Sequence, residues 1–103
     1  MQYRNPYLTI ELEKSSRIND KISGDIYLNL NKNIPQDTPI LIYLEKDNVL
    51  LITDTLTAKD ISSDNSIQLE SLIDYTFKEK GKYTLTIYIP SLDYTSKETF
   101  IVS

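Results

Sequence analysis

Apolar residues recur at every second position through much of this chain. Leu8, Ile10 and Leu12 share one side of Tyr7–Glu13, with Thr9, Glu11 and Glu13 on the other. Period two puts alternate side chains on opposite faces of an extended strand, so one face is predicted to be buried. The pattern returns in Ile22, Gly24, Ile26, Leu28 and Leu30, set against Ser23, Asp25, Tyr27 and Asn29. It is cleanest in Lys82–Ile89, where Tyr83, Leu85, Ile87 and Ile89 alternate with Thr84, Thr86 and Tyr88. Pro90 ends that run, because it has no N–H to give to a ladder. A last strand is predicted from Tyr94 or Thr95 to Val102, with Phe100 and Val102 inward.

Two segments break the alternation. Ile40–Leu44 and Val49–Ile52 are apolar on both faces. Glu45-Lys46-Asp47-Asn48 between them reads as a hairpin turn, since Asp and Asn tolerate positive φ. Continuous apolarity has two readings: burial under the opposite sheet and covering loops, or a patch that a neighbouring domain or a second copy covers. Burial is the favoured expectation. Thr53–Leu56 continues this strand with polar alternation, and Ala58–Asn65 reads as a polar loop with one helical turn. Ile67 and Leu69 open a further strand, and Gly24 within a strand marks a bulge or a close backbone approach.

These segments make seven strands and no helix of three turns, with no repeat and no linker in 103 residues. The chain is therefore read as one domain, 1–103, an all-β seven-stranded antiparallel sandwich. A closed barrel is the alternative.

The stretch Phe77-Lys78-Glu79-Lys80-Gly81-Lys82-Tyr83-Thr84-Leu85-Thr86-Ile87 resembles the approach to the sixth strand of immunoglobulin-like and fibronectin-type-III-like β-sandwich domains. The resemblance implies an Ig-like sandwich with a structural corner at Phe77, Gly81 and Tyr83, the Tyr83 hydroxyl bonding back to a backbone group upstream. The cysteine pair and core tryptophan of antibody-type domains are missing. What is left is similar to the cysteine-free Ig-like modules of prokaryotic surface proteins and of macroglobulin-type chains. The opening strands, Leu8 to Leu12 and Ile22 to Leu28, more distantly resemble arrestin-type sandwiches.

Composition narrows the chemistry. The chain has no histidine, no cysteine and no tryptophan. A serine–histidine–aspartate set, a thiolate nucleophile and a zinc ribbon are thereby excluded. Gly24 and Gly81 stand alone, so no glycine-rich phosphate loop exists. The formal charge of −4 disfavours nucleic acid and anionic membrane surfaces as partners. No apolar run approaches the roughly 18 residues that a helical span needs, so direct membrane insertion is not expected. Asp60, Asp64 and Asp74 are too loosely spaced for a calcium loop and lack its turn glycine. They read as exposed loop acids. The final strand offers no asparagine for a lysine–asparagine isopeptide bond.

No cofactor and no enzyme activity are expected from this inventory. The function it points to is a structural or protein-interaction module, one domain of a cell-surface or adhesin-like assembly. An intracellular arrestin-like adaptor and a carbohydrate-binding module are the alternatives. Tyr27, Tyr43, Tyr88 and Thr86 are the candidate interaction residues, because a rigid aromatic ring with one hydroxyl supplies contact area at low entropic cost. A protein partner or neighbouring domain is expected, and a second copy is admissible. An extracellular or surface location within a longer chain is favoured, with the cytoplasm as the alternative if Met1 is the true start.

Overall fold

The alternating segments become strands close to where their apolar residues mark them. A computed structural model describes residues 7–12, 15–28, 34–62 and 66–103. Glu13, Asn29, Leu30, Asp64 and Asn65, named above, lie outside these. The strands are β1 (Leu8–Leu12), β2 (Ser15–Ser16), β3 (Gly24–Leu28), β4 (Pro39–Lys46), β5 (Val49–Thr57), β6 (Ser66–Gln68), β7 (Gly81–Ile89) and β8 (Tyr94–Val102). They form two sheets, ordered β1-β3-β6 and β2-β8-β7-β4-β5.

Among the described residues every ladder is antiparallel except that of β2, which pairs in parallel with Ile101 and Val102 of β8. The first part of the chain thus crosses from the small sheet to the rim of the large one. Flanking bonds fix the crossing: the Ser103 N–H donates to the Ser16 carbonyl, and the Ile18 N–H to the Ser103 carbonyl.

The core lies between the sheets. Leu8, Ile10 and Ile26 face it from the small sheet. Ile40, Ile42, Leu44, Leu85, Ile87, Phe100 and Val102 face it from the large one. Leu69, Ile73 and Phe77 close it from the connection after β6. Each buried side chain of this size contributes on the order of 1.5–3 kcal/mol. The strand predicted through Leu69 stops at Gln68, because Leu69 begins a short 3-10 turn that drops its side chain into the core.

The single helical turn expected after β5 is α1 (Ala58–Ser62). The Asp60 carboxylate accepts the Thr57 N–H at 2.8 Å and its hydroxyl at 3.3 Å, a capping contact that starts the turn. The β4–β5 hairpin closes through Asp47 and Asn48, at φ 52° and 68°. Two successive positive φ values suit the twist of a two-residue hairpin. Leu44 pairs with Ile52 but Glu45 with Leu50, so Leu51 is the extra residue of a bulge.

Candidate interaction surface

Of the residues singled out in the sequence, three meet at one corner. The Tyr83 hydroxyl donates to the Glu79 carbonyl at 2.7 Å. Phe77 packs edge-on against the Tyr83 ring, with centroids 5.0 Å apart. Gly81 sits at φ +144°, and a Cβ there would lie 2.9 Å from Cε of Lys46. The Lys46 stem lies over the glycine, and its ammonium bonds Asp47 at 2.9 Å and approaches Glu79 at 3.5 Å. These carboxylates raise the Lys46 pKa, chiefly through the Asp47 hydrogen bond.

The tyrosines divide between the two sheets. Tyr43 and Tyr88 lie on the outer face of the large sheet, where Tyr43 pairs with Thr86 and Tyr88 with Leu41. Thr86 shares that face but is only 6% exposed, so it offers a partner almost nothing. Its hydroxyl is buried and finds no hydrogen-bond partner among the described residues. Tyr27 stands on the small sheet, opposite Thr9 and Ser66. Asp25 first, then Glu11, raises its phenol pKa. The four residues therefore do not form one docking strip: register put them on outward positions, but sheet membership separates Tyr27 from the rest.

The hairpin supplies what the sequence reading had assigned to the core. Val49, Leu50 and Leu51 are exposed by 61%, 53% and 36%. Burial was the favoured expectation for them, and the strand order explains the difference. β5 is the outermost strand of its sheet, and its first three residues are all exposed. Beside this apolar tip lies a depression of about 340 Å³ lined by Asp47, Asn48, Lys82, Thr84, Lys97 and Thr99.

Acidic groups concentrate elsewhere. Glu11, Asp25 and Glu70 line a second depression of about 390 Å³. Glu70 accepts from the Ser23 hydroxyl at 3.1 Å and the Gly24 N–H at 3.4 Å. Of the loop acids weighed for calcium, Asp60 caps α1 and Asp74 pairs with Lys21 at 3.0 Å. Among the described residues, no three acidic side chains converge on a metal position. No helix there is long and apolar enough to cross a membrane.

No protein-family model matches the chain, and no curated protein does. Solved structures do. The PmoD soluble domain from Methylocystis superposes with a TM-score of 0.60 at 9% identity, covering 99% of this chain and 95% of that one. The CARDB domain of the PF1109 protein from Pyrococcus furiosus, solved with di-metal ions, gives 0.57 at 14%, covering 100% and 93%. Superoxide reductase (neelaredoxin) from Ignicoccus hospitalis gives 0.56 at 11%, covering 93% and 80%. At these identities the likeness shows the fold alone, a small all-β domain of Ig-like or superoxide-reductase type.

The last of these corrects one expectation. Lack of histidine and cysteine led to the reading that the chain is no enzyme. Superoxide reductase is an enzyme on the same fold, so the architecture accommodates catalysis. The composition excludes only those reactions that need the missing side chains.

Proposed function

We propose that this chain is a protein-interaction module of Ig-like kind, one domain of a larger surface assembly, and that it docks through the tip of the β4–β5 hairpin. The observation that carries this is the exposure of three consecutive large apolar residues, Val49, Leu50 and Leu51. Apolar surface left in water forgoes about 25 cal/mol per Å². A contiguous patch of it with a polar border marks docking surfaces. Here Asp47 and Asn48, both exposed, border it at the turn. Tyr43 and Tyr88 extend the surface along the adjoining sheet face. Two of the fold neighbours are domains of larger proteins, which supports reading the chain as a module.

Photo-crosslinking in the source cell tests the proposal. A photoreactive residue in place of Leu50 should give a discrete adduct with one partner. The same group at Thr9, on the outer face of the small sheet, should give none. No adduct at Leu50, or equal adducts at both positions, would contradict the docking surface.

A further inference from the structure

We infer that carboxylates shut both lateral edges of the large sheet against pairing with a second copy of this chain. An edge strand presents a row of unpaired N–H and C=O groups that can template another strand. Among the described residues the edges are β5 and most of β8, since β2 pairs only with Ile101 and Val102. β5 runs for nine residues and begins with exposed apolar side chains, features that invite self-pairing.

Three features of β5 oppose it. Asp54 stands opposite Ile42 and alternates in step with Ile52 and Leu56, so an acid occupies a core-facing position on the edge. Its carboxylate accepts the Thr55 N–H at 2.8 Å. Two residues on, the Thr57 N–H is held by Asp60 at the same distance. N–H groups two residues apart point to the same side of a strand. Both are bonded to carboxylates rather than to β4, so this is the free side. At the other end, the Leu51 bulge breaks the register that an added strand would need.

The opposite edge shares the first of these features. Glu98 pairs with Leu85 and alternates in step with Phe100 and Val102, placing a second acid at a core-facing edge position. The excluded partner is another copy because self-pairing is isologous. Two β5 strands joined antiparallel would bring Asp54 and Asp60 of both chains to one seam. Like charges facing each other across a ladder are destabilising.

Sedimentation velocity on Asp54→Val and Glu98→Val, from micromolar to millimolar concentration, tests this, with folding verified by far-ultraviolet circular dichroism. The wild-type chain should stay at monomer mass, and each variant should shift to dimer mass or above. Thr53 shares the alternation of Thr55 and Thr57, so Thr53→Pro removes a free-edge donor and should return Asp54→Val to monomer. A folded Asp54→Val or Glu98→Val that stays monomeric overturns the inference for its edge. A wild-type dimer abolished by Thr53→Pro overturns it altogether. If Asp54→Val does not fold, Asp54→Ala poses the same question with the same two outcomes.

Discussion

Tyr83 and Phe100 face each other across the β7–β8 ladder with their rings stacked, centroids 5.7 Å apart and planes 19° apart. Phe77 meets both edge-on, at 5.0 and 5.6 Å. The ring of Tyr83 belongs to the core while its hydroxyl reaches the Glu79 carbonyl. Burial raises the phenol's pKa, so the group stays protonated and keeps its donor. Tyr83→Phe should preserve the stack and remove one hydrogen bond. A loss of about 1 kcal/mol in urea unfolding is expected. No loss would mean that water replaces the bond.

The two glycines should differ in tolerance. Gly24→Ala would put a Cβ 2.4 Å from the Glu11 carbonyl oxygen, a backbone atom fixed in the β1–β3 ladder. Gly81→Ala would meet the stem of Lys46, a flexible side chain that can shift. Both positions have positive φ, at +159° and +144°, which a side chain adopts at roughly 1–3 kcal/mol. Gly24→Ala should therefore destabilise more than Gly81→Ala, and thermal unfolding of the pair reads the order directly. The reverse order would contradict the close approach at Gly24.

Thr86 carries a buried hydroxyl that bonds nothing among the described residues. An unpaired hydroxyl removed from water costs on the order of 1–3 kcal/mol. Thr86→Val keeps the branched shape and should stabilise the chain by about 1 kcal/mol in urea unfolding. A loss of stability would show that the hydroxyl has a partner in solution.

Glu70 gives the fold an acid dependence. Its own backbone N–H, helped by the Gly24 N–H and the Ser23 hydroxyl, holds its carboxyl below the usual value. A folded-state pKa below the unfolded one stabilises above the unfolded pKa, and the benefit is lost as pH falls through the folded pKa. Glu70→Gln should lose less stability than wild type between neutral pH and pH about 3. The group is exposed, so the difference should be a fraction of a kcal/mol. Identical acid profiles would remove Glu70 from the account.

Much of this was legible in the sequence because side chains in strands alternate with period two. That alone assigned the inward residues of β1, β7 and β8, and Asp47-Asn48 named the hairpin turn; Ile40–Leu44, apolar on both faces, gave no such assignment for β4. Sheet order is not encoded that way. Val49–Leu51 reads the same whether the strand is central or outermost, so its exposure was invisible. Ser15–Ser16 is too short to carry a period. Thr86 alternates like an outward residue, yet Tyr43 and Lys97 flank it on the neighbouring strands. Tyr27 is outward too, but only the pairing of β3 with β1 and β6 shows that it faces away from Tyr43 and Tyr88.

The docking proposal requires that the apolar hairpin tip lie outside the core, and urea unfolding of the triple variant Val49→Thr, Leu50→Asn, Leu51→Thr tests that most directly. Stability within about 0.5 kcal/mol of wild type is the expected result, as for surface substitutions elsewhere. A loss of about 2 kcal/mol or more, the scale of a buried apolar side chain, would place these residues in the core and contradict the docking surface.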